Sequence, residues 1–226
     1  MDYPEAILFD LDGVLLDTEP LIANAWSQTA KEYNYFLSKD NLNELKGRRR
    51  KDCAKKVLEW INKENSLKEL LLIQKLKAHN ELLKAKPFKG AKDLIKFCID
   101  SKLPIALVTS SSSSSFKIKC SVNPWLNSFN TKVLGDDKFL SNGKPSPEPY
   151  LRAIKLLGVN PKKTWVIEDS YPGCVSGLKA KCNLLFFSKD LYIHKRLVDE
   201  FNQAKILQIK ELSEIIYYLK LYKGFK

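Results

Sequence analysis

Histidine is scarce. Only His79 and His194 occur in 226 residues, which excludes a histidine-rich metal centre. Cysteine offers no substitute: Cys53, Cys98, Cys120, Cys174 and Cys182 are odd in number and nowhere form a Cys-x-x-Cys pair. Neither a disulfide framework nor a structural zinc site is expected, and the thiols read as reduced core residues of a cytoplasmic protein. No stretch approaches the roughly 20 apolar residues of a membrane span. The apolar run that begins at Ala6 is broken by Asp10 and Asp12, and no basic segment leads into it. A membrane anchor and a secretory leader are therefore not expected.

Negative charge is also in short supply. Asp and Glu total 26 against 38 Lys and Arg, a net charge of +12. Such an excess can attract nucleic acid, membranes or anionic substrates. The lysines scatter along the whole chain, however, and only Arg48-Arg49-Arg50-Lys51 forms a tight cluster. Scattered lysines read as solvated helix faces, so no nucleic-acid or membrane partner is expected. A basic binding module for RNA or an acidic partner stays open as a reading of a different class. With 44% hydrophobic and 28% charged residues the composition is that of a globular protein. The length suits one large domain, or a core with a modest insertion.

Four short apolar runs stand out: Ala6 to Phe9, Pro104 to Val108, Thr164 to Ile167 and Leu184 to Phe187. Runs without a polar face predict buried parallel strands. Helical patterns lie between the later ones, at Gly90 to Ser101, Pro147 to Leu157 and Gly173 to Lys181. The alternation predicts an α/β protein with a mostly parallel sheet. Between the first run and the rest, Leu21, Ala25, Trp26, Val57, Leu58, Ile61, Leu70, Leu71, Ile73 and Leu76 recur at helical spacing with no strand signal. That segment predicts an all-helical insertion over residues 17–86. The core would then comprise residues 1–16 and 87–226.

Polar residues cluster where the apolar runs stop: Asp10 and Asp12, Thr109 and Ser110, Glu168 and Asp169. In an open parallel sheet, ligands bind outside the carboxyl ends of the strands. Folding would gather four carboxylates in one crevice, which repel one another unless a cation sits among them. An all-oxygen ligand set points to a hard cation, with magnesium the usual one beside phosphate substrates. The serine run Ser110 to Ser115 follows a strand and precedes Phe116-Lys117-Ile118. It reads either as a helix cap that offers donors to an anion or as a flexible loop.

The run Asp10-Leu11-Asp12-Gly13-Val14-Leu15-Leu16-Asp17-Thr18-Glu19 resembles the first motif of the haloacid dehalogenase-like superfamily. Thr109-Ser110 is similar to its second motif, Lys144-Pro145-Ser146-Pro147 to its third, and Glu168-Asp169-Ser170-x-x-Gly173 to its fourth. The four occur in order over nearly the whole chain. The resemblance implies a Rossmann-like three-layer α/β/α core, with the helical insertion as a cap of the C1 type. It implies that Asp10 is the nucleophile of phosphoryl transfer, forming an aspartyl-phosphate. Asp12 would be the general acid and base, Thr109 a hydroxyl donor and Lys144 a fixed positive charge. Mg2+ would be held by Asp10, the backbone carbonyl of Asp12, and Asp169, with Glu168 nearby. The dehalogenase branch lacks the second aspartate, so Asp12 argues for phosphoryl transfer.

Within the superfamily, Asp17-Thr18-Glu19-Pro20-Leu21 resembles sugar-phosphate phosphatases and β-phosphoglucomutase-like proteins. Leu45-Lys46-Gly47-Arg48-Arg49-Arg50 resembles a Gly-x-x-Arg element whose arginine contacts substrate, which places Arg50 there. Lys77 sits where that group often carries a cap lysine, and Ser110 and Glu19 complete the candidate substrate contacts. Arg50 as a solvated helix start and Lys77 as an ordinary surface lysine are the competing readings. Where the group often has a histidine five residues after Asp17, this chain has Ile22. Loss of that histidine favours a hydrolase over a phosphosugar mutase. The expected enzyme is a magnesium-dependent phosphatase of a small phosphorylated metabolite, a sugar or polyol phosphate, acting as a monomer or weak homodimer.

Overall fold

The computed structural model describes residues 1–61, 66–188 and 190–224. The expected ranges 17–86 and 87–226 therefore include residues 62–65, 189 and 225–226, which lie outside the described residues. The chain opens with β1 (Ala6–Phe9) and a two-residue strand β2 (Leu16–Asp17). Four helices follow: α1 (Glu19–Lys31), α2 (Lys39–Leu45), α3 (Arg50–Ile61) and α4 (Leu67–Leu82). The short β3 (Lys86–Pro87) then pairs antiparallel with β2, Leu16 opposite Pro87 and Asp17 opposite Lys86. The strict helical reading of residues 17–86 missed this two-stranded ribbon, which closes the insertion where it leaves and rejoins the core.

The remainder alternates helix and strand. It runs α5 (Ala91–Asp100), β4 (Ile105–Val108), α6 (Ser113–Val122), β5 (Thr131–Val133), α7 (Glu148–Leu157) and β6 (Thr164–Glu168). It ends with α8 (Tyr171–Lys179), β7 (Asn183–Phe187), α9 (Leu191–Glu200), β8 (Ile206–Ile209) and α10 (Ser213–Gly224). The six-stranded sheet has the order β5-β4-β1-β6-β7-β8, parallel throughout. The α/β class with a helical insertion is thus as expected. The edge strands β5 and β8 were not visible in the sequence pattern.

Side chains alternate across the sheet, as a pleated strand requires. Ile7 and Phe9 pack with Leu94, Ile95, Leu107 and Ile215 on the face covered by α5 and α10. Leu8 points the other way and packs with Val108, Tyr150, Ala153, Val166 and Leu178, under α7 and α8. Every residue of β1 has no solvent exposure, because both faces are covered and both edges are paired. The insertion has its own small core, centred on Trp26, Leu45, Ala54, Val57 and Leu70. Among the described residues, no helix is long and apolar enough to cross a membrane.

The topology concentrates function at one end of β1. Its neighbours β4 and β6 are reached by connections that leave in opposite directions, so a crevice opens beyond their carboxyl ends. Phe9 is in register with Leu107 of β4 and with Ile167 of β6. One step further along β1 brings Asp10 beside Glu168.

The central strand should carry the fold's stability. Leu8→Ala, at a fully buried position, should lower the unfolding free energy by about 2–5 kcal/mol in urea melts. Leu72→Ala, at a position 58% exposed, should stay within about 0.5 kcal/mol of the parent. Equal losses would contradict this placement of the core.

Candidate active site

The crevice is organised by two buried lysines, each paired with one of the two aspartates that follow β1. Lys144, on the loop between β5 and α7, is 3% exposed. Its ammonium donates to Asp10 Oδ1 at 2.5 Å, to Glu168 Oε1 at 2.5 Å and to the Val108 carbonyl at 2.9 Å. Glu168 has no exposed surface and also accepts from the Tyr150 hydroxyl at 2.6 Å and from Ser170 Oγ at 3.2 Å. Burial acts against the Lys144 ammonium, but the charges of Asp10 and Glu168 outweigh it and raise its pKa. The pairing thus favours the charged form of Lys144.

The second lysine was not anticipated. Lys119, on α6, has no exposed surface, and its ammonium pairs with Asp12 Oδ1 and reaches Ser111 Oγ at 2.7 Å. Thr18 Oγ1 donates to the same Asp12 oxygen at 2.5 Å. Ser111 Oγ donates to Oδ2 at 2.7 Å, and Thr109 Oγ1 lies at 3.4 Å from it. The serine run is thus an ordered structure. Ser112 caps α6 by accepting from the Ser115 amide, and Ser113 bonds Asp136. Ser110 Oγ donates to the Gly47 carbonyl at 2.9 Å, tying this loop to the helical insertion.

The two aspartates consequently sit in opposite electrostatic settings. Burial pushes the Asp10 carboxyl well above the usual carboxylate range; Lys144 pulls it back, while Glu168 and Asp12 add to the rise. Burial likewise raises Asp169, helped by the charges of Glu19, Glu168 and Asp10. For Asp12 burial also acts upward, but the charge of Lys119 and hydrogen bonds from Lys119, Thr18 and Ser111 outweigh it, so its pKa is lowered.

Asp10, Glu168 and Asp169 bring one carboxylate oxygen each within 4.8 Å of one another. These donors are hard oxygens, buried or half-buried; Lys144 offsets their mutual repulsion at Asp10 and Glu168, and the charge of Lys46 acts on Asp169. That donor set fits a hard divalent cation such as Mg2+. Gly13, at φ +91°, lets the loop after Asp12 press against Asp169: a Cβ there would stand 2.1 Å from Asp169 Oδ2.

Above the carboxylates lies a cavity of about 330 Å³ between the helical insertion and the sheet. Asp10, Asp12, Thr109, Ser110, Ser111 and Lys119 line its floor. Ile22, Trp26, Leu42, Leu45, Ala78 and Leu82 make much of its roof apolar, with Arg50, Lys46, Arg48 and Gln74 as polar interruptions. Glu19 lines it too and lies 3.5 Å from the Lys46 ammonium. Gln74 is 3% exposed, and its amide oxygen has no hydrogen-bond partner among the described residues.

The structure brings together Asp10, Asp12, Thr109, Ser110, Lys144, Glu168, Asp169, Glu19 and Arg50, but it corrects the expectation for Lys77. Lys77 pairs with Glu32 at 2.6 Å and does not line the cavity. The reason is helical phase. Gln74, Ala78 and Leu82 share one face of α4 at four-residue spacing, and Lys77 is turned about 100° from Ala78. The tight basic cluster is also partly engaged locally: Arg48 donates to the Glu44 carbonyl, and Arg49 pairs with Asp52.

Comparison with known proteins gives the same picture. The family model for haloacid dehalogenase-like hydrolases matches residues 7–187. A phosphorylated carbohydrates phosphatase of Thermotoga maritima is 32% identical over 172 residues, covering 75% of this chain and 78% of that one. Hexitol phosphatase A of Escherichia coli is 28% identical over 80% of this chain and 82% of its own length. A crystal structure of a family IA hydrolase from Entamoeba histolytica superposes with a TM-score of 0.76 at 26% identity, covering 96% of this chain and 99% of the other. A match across more than three quarters of the chain, on a fold and crevice of this design, shows that the chain belongs to the haloacid dehalogenase-like hydrolases.

Proposed function

We propose that this hydrolase is a magnesium-dependent phosphatase that cleaves a small phosphate monoester, a sugar or polyol phosphate, by way of a phosphoryl group carried on Asp10. The observation that carries the proposal is the division of labour between the two aspartates. Asp10 lies among Lys144, Glu168 and Asp169, while Asp12, two residues on, is held by a separate set of donors. The relatives named as phosphatases of phosphorylated carbohydrates and of hexitols support the substrate class.

In the first step an Asp10 carboxylate oxygen attacks phosphorus, and the P–O bond to the leaving alcohol breaks. Lys144 offsets the negative charge that gathers on the phosphoryl oxygens, and Thr109 donates a hydroxyl hydrogen bond to them. Held by Asp10, Asp169 and the Asp12 carbonyl, with Glu168 nearby, Mg2+ would supply the remaining charge neutralisation. Asp12 gives a proton to the leaving alkoxide, then takes one from the water that hydrolyses the aspartyl-phosphate. Paired with Lys119 it rests as the carboxylate, the form needed for the second step. Its acid role requires a proton to arrive with substrate, as the approach of a phosphate dianion favours.

Residues 17–86 act in this reading as a cap over a core of residues 1–16 and 87–226, hinged at the β2–β3 ribbon. The leaving alcohol occupies the cavity beneath the cap, with Arg50, Ser110 and Glu19 as polar contacts. Ile22 adds an apolar side chain to the wall and can donate no hydrogen bond to a second sugar. That favours water as the acceptor, hence hydrolysis over mutase chemistry. The five free thiols fit a cytoplasmic setting.

Three outcomes test the proposal. Asp10→Asn should abolish release of phosphate from p-nitrophenyl phosphate while the melting curve stays cooperative, and chelation of divalent cations should silence the parent enzyme. Retained turnover in either case would remove the assignment. Arg50→Ala should lower kcat/KM roughly 10- to 100-fold for the best sugar phosphate in a phosphate-release screen, the worth of one charge-assisted hydrogen bond. The change should appear in KM and should exceed the change for p-nitrophenyl phosphate. Equal changes for both esters would take Arg50 out of the substrate site.

A further inference from the structure

A lysine with no exposed surface is rare, because removing an ammonium from water is costly unless it is fully paired. Lys119 meets that condition through two groups, Asp12 Oδ1 and Ser111 Oγ. Its place on α6 is set by the cap residue Ser112. Ser115 and Lys119 follow it on the helix face turned toward the crevice, four residues apart, and both line the cavity.

The donors around Asp12 are not shared evenly. Oδ1 takes both Lys119 and Thr18, whereas Oδ2 takes Ser111 and a long contact from Thr109. Oδ1 is thus clamped from two sides, by α6 and by the segment that leads into α1. Oδ2 is held only by hydroxyls, which can rotate away at little cost. Lys144 makes no contribution here, since its donors are spent on Asp10, Glu168 and the Val108 carbonyl.

We propose that Lys119 is a positioning residue for Asp12, fixing Oδ1 so that Oδ2 is presented to the oxygen of the leaving alcohol. The proposal rests on the phosphatase reading above and deepens it. Without the clamp Asp12 turns about its side-chain bonds, and the loss falls on the step in which Asp12 meets the leaving group. A purely structural ion pair would instead slow every substrate alike.

The test is the leaving-group dependence of kcat/KM in the full chain with magnesium, using phenyl phosphate and 2,4-dinitrophenyl phosphate. Dinitrophenolate departs without help from an acid, and phenolate needs it. Asp12→Asn should depress phenyl phosphate at least tenfold more than dinitrophenyl phosphate, and Lys119→Met should shift the ratio in the same direction. Such a selective loss sits within the roughly 10²–10⁴-fold worth of general acid catalysis. Adding Lys119→Met to Asp12→Asn should change the ratio less than twofold, because the clamp then has nothing left to position. If Lys119→Met fails to melt cooperatively, Lys119→Gln decides: it removes the charged clamp while keeping a polar side chain, and should shift the ratio the same way. Equal losses for both esters, or an additive double variant, overturn the proposal. An unshifted ratio in Asp12→Asn contradicts the acid–base role itself. A shifted Asp12→Asn ratio with an unshifted Lys119→Met ratio contradicts the positioning role alone.

Discussion

The ammonium of Lys144, lodged between Asp10 and Glu168, is the contact on which the rest of the site depends. Three parallel strands, β4, β1 and β6, end side by side, and the chain places carboxylates immediately past two of those ends. Asp10, Glu168 and the half-buried Asp169 are thereby forced together, the first two almost shut off from water. Two negative charges brought into such a setting repel strongly, and each loses its hydration. Lys144 answers part of that repulsion; the Tyr150 hydroxyl donates to the same Glu168 oxygen, Oε1, and Ser170 to the other, Oε2. What Lys144 leaves uncompensated is the charge a divalent cation would neutralise. Removing the lysine would favour the protonated carboxyls, and in the proposed mechanism a protonated Asp10 could not attack phosphorus.

Asp12 is exempt from this problem because Lys119 and three hydroxyl-bearing side chains serve it separately. Two neighbours in sequence on one loop are thus given different proton affinities by different elements of the fold. The helical insertion joins in at both places. Thr18, at its entry, touches Asp12, and Gly47 accepts from Ser110 beside Thr109. The insertion is thereby tied both to Asp12 and to the loop that carries Thr109.

Much of this was legible in the sequence, for a physical reason. Strands buried on both faces are apolar along most of their length, so the runs Ala6 to Phe9 and Thr164 to Ile167 announce themselves, and a polar residue at their ends has nowhere to go but the crevice. β5 and β8 escaped because they lie at the sheet's edges, where Lys132 and Gln208 break the apolar pattern. Lys119 escaped because a lysine in a lysine-rich chain carries no local mark of burial. Only its spacing from Ser112 and Ser115 on α6 could have suggested that it faces the site. Lys77 was misplaced because a sequence position does not settle helical phase, and the face of α4 that meets the cavity carries Gln74 instead. The ordered serine run was ambiguous for a similar reason: its partners, Asp12, Gly47 and Asp136, come from distant segments.

The central claim is that the phosphoryl group passes to Asp10 before water receives it. Two displacements at phosphorus restore its configuration, whereas direct attack by water inverts it. The decisive measurement is the stereochemical course of hydrolysis of a phosphate ester made chiral at phosphorus with oxygen isotopes or sulfur. Net retention is the result predicted by a phosphoryl group carried on Asp10. Net inversion would contradict it and return Asp10 to a supporting role.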